Sequence, residues 1–443
     1  MRITSYLLTM LMFCLALPLQ AQPEPTNTPL QFSLSEAKDY ALINSPILLN
    51  SARDVEIAKK RVWESTSMGL PQANLTGSYS YSPQLAGLSE QLGDFIPDPN
   101  FDPNDLKTSL FGSFQVDQLI FSGQYLIGVK AAKVYSNMSV LANTKSKIGV
   151  VENITNNYFS ALVARQSKSI LDSTLAAVEK TLFETTQMFK NGFAEQTDVD
   201  QLRILASNIK SSLSVAERQI DLMDRLLKFQ MGLSIDQPIL LTDQIDDLVF
   251  IMDVDVSQID SFVLDKNIDF KIATNQEYLM QLNYQVKKAE YLPTLNGYYS
   301  YYKSFDDNFF NDQSPSTFGL SFYMPIFSSG QRAAKVGQSK LTFMKAQTNK
   351  DITTESLRIQ YETAMSEYLS AHDIYLLQKE NRELSLRIYT KSITKFREGI
   401  GSSLDLNQTQ QQYFDAEGAY FRALMTLVAA KAKLESLVAN SSM

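Results

Sequence analysis

The chain has 443 residues, 44% of them hydrophobic, with a formal net charge of −8. That length can bury a sizeable core, while the negative balance argues against a nucleic-acid surface, which needs a basic face. One cysteine and one histidine in the whole sequence exclude a disulfide framework and any thiolate or multi-histidine metal centre.

Residues 1–21 read as an export signal rather than as part of the fold. Arg2 supplies a positive start, Tyr6 to Leu17 is an apolar run, and Leu19-Gln20-Ala21 places a small residue before a cut at Gln22. The sole cysteine, Cys14, lies inside this run behind Phe13, where a lipoprotein signal would carry a small residue. A cleaved, unlipidated export signal is expected. No later stretch reaches the ~20 apolar residues of a membrane-spanning helix.

Ser33-x-x-Glu36 has the spacing of a capping box ahead of a short helix. Ser45-Pro46 opens a second helix running to about Met68, with Pro46 suited to the first turn. After Leu70-Pro71 the period changes from 3.6 to 2. Asn74, Thr76, Ser78 and Ser80 alternate with Leu75, Gly77, Tyr79 and Tyr81, and Leu110–Asp117 alternates likewise. Each run has about ten residues, the length of a tilted bilayer-spanning strand. A polar turn, Ser82–Lys107, joins the two. From Gly123 to Phe189 there is no proline, and apolar residues recur at three and four: Ile148, Val151, Ile154, Tyr158, Leu162. Roughly 66 helical residues make a rod of roughly 100 Å, far longer than a globular helix and suited only to a coiled-coil-like array. The rod ends at Phe-x-x-Gly. A tight tip, Asn191–Gln196, leads into a second helix to about Met231, where Thr197 and Asp198 suit its N-terminus.

The same order then repeats. Asn267 to about Tyr291 matches the early helix. Leu292-Pro293 opens a strand carrying Leu295, Gly297, Tyr299 and Tyr301 on one face, and Phe318, Leu320 and Phe322 mark its partner across the turn Lys303–Ser316. A second rod runs from Gly330 to Phe396, followed by a tip at Glu398–Ser402 and a helix to about Val438, with Ser403 and Asp405 at its start. Phe189, Gly192 and Asp198 return as Phe396, Gly399 and Asp405, each 207 positions on, with no length change along the rods. The expected organisation is signal 1–21; first repeat 22–232, with strand pair 72–120 and hairpin 124–232; connector 233–256; second repeat 257–440, with strand pair 294–326 and hairpin 330–438. The fold class is mainly α with a small β part.

Four strands cannot close a barrel, and an open edge is not tolerated in lipid. Three chains sharing one barrel would supply twelve strands, with the Asn/Thr/Ser/Gln face inward, the Leu/Tyr/Phe face toward lipid, and the hairpins extending the pore away from the membrane.

This order resembles the outer membrane efflux protein family, the TolC-like channels of Gram-negative bacteria. The resemblance rests on Leu-Pro before each strand pair, Phe-Ser-Gly at the start of each rod (Phe121-Ser122-Gly123, Phe327-Ser328-Ser329-Gly330) and Phe-x-x-Gly…Asp at each tip. It implies a homotrimer in the outer membrane reaching into the periplasm, docked to a periplasmic adaptor and an inner-membrane transporter as the exit duct of an efflux or type I secretion system. It further implies a periplasmic constriction at Asp198, Asp405, Asn407 and Gln408, and adaptor docking at Phe189, Gly192, Phe193, Phe396, Gly399 and Ile400. Gln408 stands where relatives carry a second acid, and Gly401 where some carry a gate arginine. The alternative role of Asp198 and Asp405 is to favour a helix start through the dipole.

Two other classes share features with this chain. A periplasmic coiled-coil scaffold or adhesin shares the rods but leaves the four bilayer-length segments unexplained. For an enzyme there is no Ser/His/Asp set, phosphate loop or paired acids, so no catalytic residue and no cofactor is expected. No metal site is expected either: His372 stands alone in a rod, and the acids Asp94, Asp98, Asp102, Asp105, Asp306, Asp307 and Asp312 lack calcium-loop spacing. The cargo is not legible.

Overall fold

Ser33 opens the first helix as a capping box: its hydroxyl accepts from the Glu36 N–H, and Glu36 reaches back to the Ser33 N–H at 2.8 Å. That helix, α1 (Leu34–Asn44), ends where Pro46 starts α2 (Pro46–Ser67). A computed structural model describes residues 29–82, 108–245, 247–248, 262–305 and 316–438. The export signal and the loop acids named above lie outside them.

The two rods are α3 (Gly123–Lys190, 68 residues) and α6 (Gln331–Arg397, 67 residues). Each folds back onto a shorter helix, α4 (Gln196–Met231) and α7 (Ser403–Val438), of 36 residues apiece. At about 1.5 Å per residue the rods are roughly 100 Å long. Between them in sequence, α5 (Ile268–Ala289) starts on Asn267, whose side chain accepts from the Asp269 and Phe270 N–H groups. The α2 helix lies along α3, α5 lies between α3 and α6, and α7 touches α3, so the two hairpins are packed together.

The strands are β2 (Gln72–Tyr81), β3 (Thr108–Ser122), β5 (Thr294–Ser304) and β6 (Ser316–Tyr323), in one antiparallel sheet of order β2-β3-β5-β6. Register carries Leu75 to Phe114 to Tyr301 on one face, with Val116, Tyr299 and Phe318 beside them. It carries Asn74 to Gln115 to Ser300 to Thr317 on the other. The sheet is therefore amphipathic, as its period requires. Phe111, Tyr298, Tyr302 and Tyr323 are aromatic exceptions on the polar face, and Phe111 packs on Tyr302. Among the described residues β2 and β6 are the edges of this sheet.

The sequence pattern predicts no strand at the start of the chain or in the connector. Yet β1 (Leu30–Phe32) and β4 (Ile239–Leu241) pair in parallel. Asp243 completes the junction: its carboxylate accepts from the Leu34 N–H at 2.7 Å and the Tyr158 hydroxyl at 3.0 Å. Burial, with Asp243 adding to it, pushes the Tyr158 phenol up. The main core lies at this level and includes Ile154, Phe159, Tyr368, Leu424, Val428 and Leu434. A second core fills the tip half of the hairpins, with Val178, Leu202, Ile209, Tyr389, Leu406 and Tyr413.

Candidate functional site at the hairpin tips

Both rods end in the same turn. Phe193 N–H donates to Met188 O at 2.8 Å and Ile400 N–H donates to Lys395 O at 3.0 Å, six-to-one bonds of a glycine-terminated helix. Gly192 and Gly399 sit at φ +82° and +76°, a region closed to most side chains. The tips then differ in packing. Phe193 is 79% exposed, and Ile400 and Leu404 are 72% and 66% exposed. Phe396 instead packs on the core of the tip half, whereas Phe189 is exposed.

The helix starts lie where the sequence places them, with Asp198 and Asp405 in the first turns. The cap of α4 is Glu195, and the Asp198 carboxylate accepts from the Glu195 N–H at 3.3 Å. For α7 the capping hydroxyl is Ser402, which accepts from the Asp405 N–H at 3.1 Å. Ser403 is thereby freed for another contact. It is buried, and its hydroxyl faces the Asp198 carboxylate and, at 2.7 Å, the side-chain oxygen of Gln201. Both acceptors belong to the other hairpin. An exposed ion pair, Arg397 to Glu184 at 3.8 Å, also crosses between the hairpins. A cleft of about 360 Å³ between the tips is lined by Glu184, Phe193, Asp198, Phe396 and Arg397. Sequence reasoning missed Ser403 as a bridge because a serine at a helix start reads as a cap.

The four residues expected at the constriction do not share one surface. Asp405 and Gln408, one turn apart, are exposed, and Asp405 accepts from the Ser392 hydroxyl at 3.3 Å. Asp198 is half-buried between the hairpins. Asn407 lines a separate cleft higher up, beside Asn208 and Gln411. Gly401 has a packing reason to be small: a Cβ there would lie 3.0 Å from Phe396 N and 3.2 Å from Lys395 C, both backbone atoms. A side chain in that place requires the turn to move.

Above the tips, a buried polar group ties α6 to α7. Glu417 Oε1 accepts from Arg382 Nε at 2.8 Å and from the Tyr413 hydroxyl at 2.9 Å. Burial alone would lower the Arg382 guanidinium, but the bond and charge of Glu417 outweigh it and hold it up. Tyr389, stacked on Tyr413, is pushed up to about 12 by burial. No group of His, Cys, Asp and Glu suited to a metal occurs among the described residues.

Among the described residues no helix is long and apolar enough to cross a membrane. The family profile for outer membrane efflux proteins matches residues 38–233 and 263–440, both repeats. The chain belongs to the outer membrane efflux protein family. This efflux protein is 20% identical over 323 residues to outer membrane protein TolC of Vibrio cholerae, covering 71% of this chain and 69% of that one. It is 21% identical over 327 residues to TolC of Salmonella enteritidis, covering 71% and 63%. It thus spans about two thirds of the length of these relatives. In fold it is similar to the outer membrane protein VceC from Vibrio cholerae, with a TM-score of 0.70 at 14% identity over 92% of this chain and 96% of that one. The efflux protein is an outer-membrane exit duct whose helical part extends into the periplasm.

Proposed function

We propose that three copies close one twelve-stranded barrel over a common helical tunnel, and that the hairpin tips latch its periplasmic end. The observation that carries this is the four-stranded amphipathic sheet with edges at β2 and β6. Edge strands cannot remain unpaired in lipid. With an even number of antiparallel strands per chain, β6 of one copy meets β2 of the next antiparallel. Two copies would give eight strands, a barrel whose interior side chains fill; three leave a water-filled bore. Mass measurement of the detergent-extracted complex is expected to give a trimer, and a monomer or dimer would sink the shared barrel.

In this reading the Ser403–Asp198–Gln201 bridge holds the tips of one protomer together in the closed state. Asp405 and Gln408 form the ring that cargo and ions meet, and Asp198 serves the latch. The apolar tip residues Phe193, Ile400 and Leu404, with the turns set by Gly192 and Gly399, receive a periplasmic adaptor, which connects the duct to an inner-membrane transporter. Support comes from their exposure next to a glycine-fixed turn, since large apolar groups left in water mark contact surfaces. Replacing Phe193 and Ile400 together by Ser is expected to abolish co-purification with the cognate adaptor while leaving the trimer intact. Unchanged adaptor recovery would remove the tips from the docking surface.

A further inference from the structure

The rods are unbalanced in charge where they leave the sheet. Between Asp117 and Glu152 there is no acid but there are four lysines, in a chain of net charge −8. Between Asp312 and Asp351 there is again no acid, against Arg332 and four lysines. Each run includes the start of a rod. Lys130 and Lys133 of α3 are exposed, and so is Lys288 near the end of α5. Lys288 lies beside the first turn of α3, where a Cβ on Gly123 would be 3.3 Å from Ala289 Cβ. Nearby, Lys145 and Lys287 are paired with Asp269 and Glu290. Lys130, Lys133 and Lys288 have no carboxylate partner among the described residues. Leu126, Lys130 and Lys133 form one stripe of α3, at spacings of four and three. Farther along, the same spacing reaches Thr155, Tyr158 and Leu162, and there the Tyr158 hydroxyl donates to Phe32 O of β1 at 2.9 Å. A bore must stay open, so the side that carries β1 is the outside of the tunnel. The helix α5 has α3 and α6 on its flanks, and its antiparallel winding puts Lys288 and Leu292 on that same side.

We infer that Lys130, Lys133 and Lys288 bind anionic phospholipid headgroups of the leaflet facing the periplasm, on the outside of the duct just below its barrel. This rests on the reading of the sheet as part of a barrel in the membrane. Lys130 is seven residues past Gly123, where the rod leaves the sheet, or about 10 Å along the axis. Headgroups occupy about 5–8 Å beyond the hydrocarbon on each side, and a lysine stem spans the remainder. Side chains lean toward the N-terminus of their helix. Lys130 and Lys133 therefore lean up to the sheet, whereas Lys288 leans down, its ammonium 5.6 Å over the Tyr284 ring. The three amines approach one level from both directions. Between them and the sheet stand Leu126 and Leu292, 52% and 47% exposed. Apolar groups next to the sheet, then cations, is the order in which a leaflet presents acyl chain and phosphate. Basic clusters beside a membrane attract anionic lipid. An acidic soluble partner would engage the lysines and leave both leucines in water.

The test reconstitutes full-length protein in phosphatidylcholine bilayers containing phosphatidylglycerol. Trp63 is the one tryptophan, so Trp63→Phe with Leu126→Trp leaves a single fluorophore on the lysine stripe. Its quenching by either lipid, carrying a nitroxide close to the headgroup, measures which one lies beside it. Phosphatidylglycerol is expected to be preferred at least threefold at low salt and less at high salt. Lys130→Gln, Lys133→Gln and Lys288→Gln together are expected to bring the two lipids level while quenching by phosphatidylcholine stays the same. Equal quenching before the lysines are replaced, or a preference that survives their replacement, would overturn the proposal and leave the barrel standing. Absence of quenching by either lipid would overturn it too, and the mass of the complex then tells whether the barrel itself has failed. Should Leu126→Trp fail to fold, native mass spectrometry decides, comparing the unaltered protein with the triple lysine variant. Equal retention of phosphatidylglycerol after detergent exchange would overturn the proposal.

Discussion

Replacing Ser403 by Ala removes one hydroxyl and leaves the helix cap, which Ser402 provides, in place. The lost contact is to an ionised carboxylate, Asp198, and to Gln201 at 2.7 Å, across the gap between hairpins. Hydrogen bonds to charged groups contribute about 1.5–3 kcal/mol. Asp198 is half-buried and regains water when released, which argues for the low end, about 1.5 kcal/mol. That corresponds to about a tenfold shift in the closed-to-open equilibrium per protomer. If three tips move in concert the effects multiply to about a thousandfold; if each moves alone the shift stays near tenfold. Single-channel recording in planar bilayers reads this directly as the fraction of time in high-conductance states. Arg397→Gln is the internal control. Its partner Glu184 is 3.8 Å away with both groups exposed, so loss of that pair is worth about 0–1 kcal/mol. Ser403→Ala is therefore expected to open the channel far more than Arg397→Gln. Equal effects, or a Ser403→Ala channel with wild-type gating, would refute the latch.

Three further outcomes are expected. Asp405→Ala should weaken cation selectivity and multivalent-cation block in bilayers, because three charges in a narrow ring are poorly screened, and unchanged reversal potentials would reduce Asp405 to a helix-start residue. Tyr389 has its folded-state pKa raised from 10.0 to about 12, so the stability tied to its proton is full below pH 10 and is lost as pH rises toward 12, at most about 2.7 kcal/mol. Denaturant unfolding between pH 9 and 11 should show a shallower pH slope for Tyr389→Phe, and parallel slopes would count against the burial argument. Gly232→Ala should destabilise by more than about 1 kcal/mol, since φ is +81° and a Cβ would sit 2.2 Å from Asn44 O, whereas Gly128→Ala, in helix with open space around it, should stabilise by up to about 1 kcal/mol. Thermal melts in detergent compare the two, and equal shifts would show that the contact at Gly232 relaxes freely.

Much of the fold is legible in the sequence because it is written locally. The rods follow from an unbroken apolar period without proline, and the strands from alternation over a length set by the bilayer. The turns at Gly192 and Gly399 follow from glycine after a helix. What is not legible is written between distant residues. Leu30–Phe32 and Ile239–Leu241 are three-residue strands with no period to detect, and they are strands only because each finds the other. Asp243 in the connector looks like one more loop acid until Tyr158 and the Leu34 N–H arrive beside it. The tip is the clearest case. Repeat symmetry makes Asp198 and Asp405 equivalents, but Ser403 sits against the first and Ser392 reaches the second, so two matched acids have different neighbours. Symmetry in a sequence fixes the backbone more tightly than it fixes side-chain partners.

The β1–β4 pairing bears on how the chain is made and exported. Two tandem halves of similar length invite the view that each is an independent folding unit, and that the first is finished before the second is synthesised. The parallel pairing argues otherwise. The start of the described chain is anchored by residues 239–243, which lie beyond the first hairpin, and Asn267 donates to Leu437 O at 2.9 Å, closing the second half onto its own last turn. Chain truncated before residue 239 lacks the strand that seats Leu30–Phe32 and the carboxylate that meets Tyr158. A fragment ending there should retain its helices yet leave its N-terminal residues open to protease, and extension through residue 245 should restore their protection. The chain therefore closes its first half only after the bridge to its second half has emerged, which favours commitment to the full-length form over accumulation of half-molecules in the periplasm.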